Sequence, residues 1–209
     1  EWQITFEDNR SEHTMKLYLI RHGESTANYD NKHGKRYFCG QLDVTLTKKG
    51  VKSAQALKKY FENITIDHIY ISDLIRTVQT YENGFDHSIP HTFSPLLRER
   101  ALGEFEGYSQ EMLQKNPNYR RYFEDPRFSD FRNSFTQHAP GGENYTDVLA
   151  RIDEFFKEVI DNKDEVVVIV AHLIWIRCCL YYLGVINEDE LFSKKVKNCD
   201  PVLVDTDNI

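Results

Sequence analysis

Two short apolar runs dominate the hydrophobic pattern, Leu17-Tyr18-Leu19-Ile20 and Val166-Val167-Val168-Ile169-Val170-Ala171, and each ends at a histidine, His22 after Arg21 and His172 directly. Uninterrupted β-rich runs of this length are the pattern of strands buried on both faces. Each histidine then stands at a strand's carboxyl end, the edge of an open α/β sheet where ligands bind.

Between these runs the period changes. Val51, Ala54, Leu57 and Phe61 recur at helical spacing and predict a helix from near Thr47. Residues 64–71 read as a second strand, Ser72-Asp73 as the start of a helix carrying Arg76, and His91–Phe93 as a further short strand. From Glu104 to Ala139 periodicity weakens around Pro117 and Pro126, and aromatics alternate with Arg120, Arg121, Arg127 and Arg132, as in an inserted cap of short helices. A stripe of Tyr145, Val148, Leu149, Ile152, Phe155, Phe156 and Val159 restores a helix, and Pro201-Val202-Leu203-Val204 offers an edge strand. The fold expected is α/β: a three-layer α/β/α sandwich around a mostly parallel sheet, one domain over residues 15–209 with residues 104–139 as a small helical cap. Residues 1–14, ahead of Met15, read either as a cloning remnant or as an N-terminal extension in which Trp2, Ile4 and Phe6 alternate like a strand face.

Residues 166–186 are long and apolar enough to be weighed as a membrane span. Their β-branched first half, the break at His172 and a second half closed by Gly184 fit strand, turn and core helix better. The chain has 209 residues and a net charge of −7, which argues against nucleic-acid or anionic-membrane partners. Any preference for phosphate must come from a local pocket of positive charge. Cys39, Cys178, Cys179 and Cys199 form neither a disulfide scaffold nor paired C-x-x-C, so a reducing cytoplasm is the expected setting. His87 and His91 are spaced like metal ligands, but Pro90 intervenes and no cysteine or carboxylate completes a set. No Walker-type loop or dinucleotide fingerprint is present, and neither metal nor cofactor is expected.

Arginine beside histidine at a ligand-binding edge suits a phosphoryl group, because guanidinium forks match its oxygens and imidazole can accept it. Four segments occur in order: Arg21-His22-Gly23-Glu24; residues 72–80 around Arg76; residues 97–107 around Glu99; and His172 at its βα turn. Together they resemble the histidine phosphatase superfamily, which includes cofactor-dependent phosphoglycerate mutases, fructose-2,6-bisphosphatases and α-ribazole phosphatases. The resemblance runs from about Leu17 to the C-terminal strand, and Ser25-Thr26-Ala27 lacks the arginine and proline of the large branch, so the chain looks like the small branch.

The resemblance implies that His22 is the nucleophile, that Glu99 donates a proton, and that Arg21, Arg76 and His172 complete a phosphate pocket. Asn28, Gly23, Cys39 and Gly40 correspond to further phosphate contacts, and Arg100, next to the acid, is a candidate substrate contact. Leu173, a further candidate phosphate contact through its N–H, stands where the family usually has glycine, so its turn does not readily use positive φ. His22 must be neutral to attack, which the arginines favour, whereas a bound phosphate would hold His172 protonated. The implied activity is a metal-independent phosphatase acting on a small phosphorylated metabolite through a phosphohistidine. Residues 103–107 look more like α-ribazole-type and broad-specificity phosphatases than mutases. The alternatives are mutase-type phosphoryl transfer, or a catalytically weak module that binds a phospho-ligand or protein.

Overall fold

A computed structural model of the chain describes residues 14–161 and 163–206. The alternation at Trp2, Ile4 and Phe6 lies outside the described residues. In chain order the strands and α-helices are β1 (Lys16–Arg21), α1 (Thr26–Lys32), α2 (Lys48–Tyr60), β2 (His68–Ser72), α3 (Ile75–Gly84), β3 (His91–Ser94), α4 (Gln110–Lys115), α5 (Arg121–Glu124), α6 (Tyr145–Glu154), β4 (Val166–Ala171), α7 (Leu173–Tyr182), α8 (Glu188–Leu191) and β5 (Val202–Asp205). A π-helical turn, Phe155–Val159, prolongs α6.

The strands form one sheet in the order β3-β2-β4-β1-β5, parallel except for β5, which runs antiparallel along β1 as the edge. The apolar runs are unbroken because alternate residues serve two different cores. Tyr18, Ile20, Ile69, Ile71, Val168 and Val170 pack with Leu57 of α2 and Tyr81 of α3 on one face. Leu17, Leu19, Tyr70, Val167, Ile169 and Ala171 pack with α6 and α7 on the other. Residues 166–186 divide between β4 and α7, and among the described residues no helix is long and apolar enough to cross a membrane.

Three details depart from the sequence pattern. β2 starts at His68 rather than residue 64, because the Asp67 carboxylate turns aside to accept the Glu165 and Val166 N–H groups. The helix carrying Arg76 is preceded by Leu74, not by Ser72-Asp73; Ser72 completes β2, and the open N–H of Ile75 is taken by Asp43 at 2.7 Å. The polar stretch after Ser25 contains α1, closed by a reciprocal cap between Ser25 and Asn28. Within residues 104–139, α4 and α5 surround a small aromatic core of Phe105, Leu113 and Phe131, with Phe38 packed against it.

The turn after β1 is held by a backbone approach. A Cβ on Gly23 would lie 2.6 Å from the Gly50 carbonyl oxygen, and one on Gly50 would lie 2.1 Å from the Glu24 carbonyl oxygen. Gly50→Ala, ordinarily favourable inside a helix, is therefore expected to destabilise the protein by roughly 1–3 kcal/mol, the usual range for overpacking. Urea unfolding measures this; a neutral or stabilising effect would contradict the close approach of α2 to residues 23 and 24.

Candidate active site

The β1–β4 register pairs Arg21 with Ala171, and the His22 N–H extends the ladder to the Ala171 carbonyl at 3.1 Å. The next residue on each strand is a histidine, so the rings of His22 and His172 lie side by side with centroids 5.3 Å apart. Nδ1 of His22 is 2.7 Å from the Gly23 carbonyl oxygen. A carbonyl can only accept, so Nδ1 carries the proton and Nε2 keeps the lone pair. His172 is wholly buried, with Nε2 2.8 Å from the Ser72 hydroxyl at the end of β2.

Burial pushes the pKa of His22 well below its ordinary value, and the charges of Arg76 and Arg21 push the same way. His172 is lowered likewise, first by burial and then by Arg76, His22, Arg151 and Arg21. Both shifts favour the neutral imidazole, and an anion beside His172 would favour its protonated form instead.

Arg76 is 2% exposed and is fixed by donating to the carbonyls of Leu42 at 2.7 Å and Gly40 at 2.8 Å. Gly40 has φ +50°, and a Cβ there would meet the Glu106 carboxylate, so glycine is required where this loop turns to receive Arg76. Glu106 in turn accepts the N–H groups of Gln41 and Leu102, each at 2.9 Å. Arg21 donates to the Val196 carbonyl at 2.9 Å. Asn198 reaches the His22 carbonyl at 2.7 Å and the Asn28 amide oxygen, which also accepts the Ser25 N–H. With that oxygen occupied, the amide NH₂ of Asn28 is the end left for a ligand.

Glu99 stands opposite. Its carboxylate accepts from Arg100 N at 2.9 Å and from Ile174 N and Trp175 N at 3.3 Å, capping the first turn of α7. Its segment is anchored by Arg151 and the Trp175 indole, both donating to the Leu96 carbonyl, and by Glu143 accepting the Ala101 N–H. Arg21, His22, Arg76 and Glu99 thus converge on one cavity of about 250 Å³, which Asn28, Cys39, Gly40, Arg100 and Leu173 also line. His172 lies behind it, against His22.

Gly23 is placed differently from the expectation that it contacts phosphate. Its N–H donates to the Thr80 hydroxyl at 3.0 Å, and its missing side chain makes room for Gly50. Arg100 is buried and turned toward the carbonyls of Phe131 and Arg132, with its guanidinium over the Tyr145 ring. Leu173 opens α7, and among the described residues the only non-glycine with positive φ is Cys199, so leucine meets no backbone penalty there. Burial raises the pKa of the Cys39 thiol, with smaller contributions from Glu99 and Glu106 against Arg76, which removes it as a nucleophile at neutral pH. His87 and His91 both pack against the Tyr81 ring. Sequence reasoning missed Ser72 and Asn198, whereas the polar connection 28–38, read from the sequence as either overhanging the pocket or a solvated loop, supplies the cavity walls Asn31, Tyr37 and Phe38.

A family model described as the histidine phosphatase superfamily (branch 1) matches residues 17–208. A 2,3-bisphosphoglycerate-dependent phosphoglycerate mutase of Blochmanniella floridana is 30% identical, over 94% of each chain. Among solved structures, the α-ribazole phosphatase of Shigella flexneri superposes with a TM-score of 0.76 at 22% identity, covering 90% of this chain and 89% of that one. A mycobacterial glucosyl-3-phosphoglycerate phosphatase gives 0.71 at 23%, covering 92% and 91%. At these identities the structural likeness establishes the fold.

The two neutral histidines make stability pH-dependent. Unfolded, each titrates near 6.5; folded, each resists protonation, so below about pH 6.5 the unfolded chain gains protons that the native state refuses. Stability is full above that value and falls as pH drops, by about 1.4 kcal/mol per pH unit for each histidine. His22→Gln is expected to flatten the loss by one such increment between about pH 6 and 5. Chemical denaturation across that range measures the difference; parallel curves for wild type and variant would contradict a depressed His22.

Proposed function

This chain belongs to the histidine phosphatase superfamily, and we propose that it is a metal-independent phosphomonoester hydrolase working through a phosphohistidine on His22. The observation that carries this reading is the 2.7 Å contact of His22 Nδ1 with the Gly23 carbonyl, which assigns the ring proton to Nδ1 and leaves the Nε2 lone pair beside Arg21 and Arg76. Such a nitrogen attacks the phosphorus in line while the ester P–O bond breaks on the far side. The arginines meet the charge spread over the equatorial oxygens, each charge-assisted hydrogen bond contributing roughly 1.5–3 kcal/mol. His172, favoured as the neutral imidazole until the anion arrives, takes the proton of the monoester monoanion, holds a phosphoryl oxygen, and returns the proton to the phosphate that is released. Glu99, entering as the acid, gives its proton to the departing alkoxide. As carboxylate it then takes one from the water that cleaves the N–P bond, releasing phosphate and restoring neutral His22.

Phosphoglycerate mutase activity is the second reading, favoured by the names of the sequence relatives. A mutase needs cations for its substrate's carboxylate. In this cavity Arg100 is committed to backbone carbonyls, and Phe38, Leu102, Leu173 and Ile174 supply apolar wall beyond the phosphate pocket. That composition supports an uncharged leaving alcohol and hence hydrolysis.

The direct comparison is phosphate release from a panel of monoesters against primer-dependent isomerisation of 3-phosphoglycerate. Release is expected to be the faster by at least tenfold on the best monoester. Efficient isomerisation with little release would transfer the assignment to the mutase.

Leaving groups test Glu99 separately. Glu99→Gln keeps an acceptor for α7 but has no acidic proton, so kcat/KM on an alkyl phosphate is expected to fall about 10²–10⁴-fold, the usual worth of general acid catalysis. On p-nitrophenyl phosphate, whose phenolate leaves unaided, the fall should be far smaller. Equal losses would make Glu99 a positioning group.

A further inference from the structure

A second cavity, of about 460 Å³, adjoins the first and shares with it only Arg21 and Leu173. Its walls come from the start of α2, the end of α1, α7 and the stretch 195–198 that precedes β5. They bring together six cationic side chains, Arg21, Lys32, Lys49, Arg177, Lys195 and Lys197, against one carboxylate, Glu24. That concentration is notable in a chain of net charge −7.

The charges are only partly satisfied. Glu24 lies 3.9 Å from the ammonium groups of both Lys32 and Lys49 and accepts the Thr47 hydroxyl at 3.0 Å, so it gathers those two lysines at one wall. Arg177 donates to the carbonyls of Lys194 and Phe192, and Arg21 to that of Val196, bonds that fix the guanidinium groups without neutralising them. Among the described residues no carboxylate pairs with Arg21, Arg177, Lys195 or Lys197. Like charges so placed repel one another, and the cavity gains most from a compact ligand carrying several negative charges at once.

We propose that this cavity binds a chain of phosphates, as in inorganic tripolyphosphate or the tail of a nucleoside triphosphate, at a site separate from the catalytic pocket and opposed to it. A single phosphate would leave most of the six cations uncompensated, whereas three linked phosphates come close to them in charge. Lysines, as mobile point charges, suit a flexible oligoanion better than a rigid carboxylate fork. Arg21 couples the two cavities. An oligoanion in the second weakens the field that Arg21 contributes to a phosphoryl group in the first, so each ligand lowers the other's affinity by the same factor. The binding stands apart from the hydrolase reading; only the coupling rests on it.

The test is calorimetric titration of inorganic tripolyphosphate into metal-free protein, alongside K195E/K197E and a K58E/K59E control that changes net charge equally on the exposed end of α2. One equivalent is expected to bind wild type and control alike. K195E/K197E should bind at least about tenfold more weakly, by the Coulomb effect of two reversed charges on a polyanion. Its circular dichroism should match wild type. ATP binding as tightly as tripolyphosphate would identify the phosphate chain as the recognised part; much tighter ATP binding would point to a nucleoside pocket and overturn the assignment to phosphates alone. Saturating vanadate should weaken tripolyphosphate binding without abolishing it. Complete exclusion by vanadate with no effect of K195E/K197E would place the anion in the catalytic pocket and overturn the proposal. Equal weakening in K58E/K59E would reduce it to net charge. If the protein hydrolyses no ester, the lysine-dependent binding still decides the site while the hydrolase reading fails on its own.

Discussion

The parallel register of β1 against β4 is the constraint from which the rest of the site follows. Pairing Arg21 with Ala171 sets His22 beside His172. A slip of one residue would turn Ile20 and Val170 toward opposite cores and separate the two rings, so the packing that stabilises the sheet also enforces the geometry of the histidines. β2 runs parallel on the other side of β4 and ends at Ser72, the hydrogen-bond partner of His172. Three adjacent carboxyl ends thus bring His22, His172 and the Ser72 hydroxyl to one edge.

Around that edge the cations are held by main chain rather than by acids. Arg76 leans on the carbonyls of Gly40 and Leu42, Arg21 on that of Val196, and Arg100 on those of Phe131 and Arg132. Carbonyl dipoles orient a guanidinium while leaving its full charge to act on a ligand. Burial, together with the charges of Arg76 and Arg21, pushes the pKa of both histidines down. Stability at mildly acid pH is the cost of that readiness, since the native state excludes protons that the unfolded chain accepts.

Much of this was legible in the sequence. Strands buried on both faces announce themselves as unbroken apolar runs, and the ordered segments around His22, Arg76, Glu99 and His172 identified the family before any geometry. What stayed hidden is tertiary. Asn198 with His22, Ser72 with His172 and Asp43 with Ile75 are hydrogen bonds between distant positions, and no local period encodes them. Gly23 shows the limit most clearly. Its place beside the histidine suggested a phosphate contact, whereas the fold uses its missing Cβ to admit the Gly50 backbone and spends its N–H on Thr80. The start of α1 was visible as a polar helix cap at Ser25, Thr26 and Asn28, but its extent was not, because a short polar helix has no apolar stripe.

The chemistry proposed for this site depends on which nitrogen of His22 is free. Rapid quench with a ³²P-labelled monoester, followed by isolation of the labelled peptide and ³¹P NMR of the phosphohistidine, asks this directly. The expected product is acid-labile, base-stable, absent from His22→Gln, and phosphorylated at Nε2, because Nδ1 is committed to the Gly23 carbonyl. Phosphate on Nδ1, or label retained at wild-type level in the variant, would exclude Nε2 of His22 as the attacking atom.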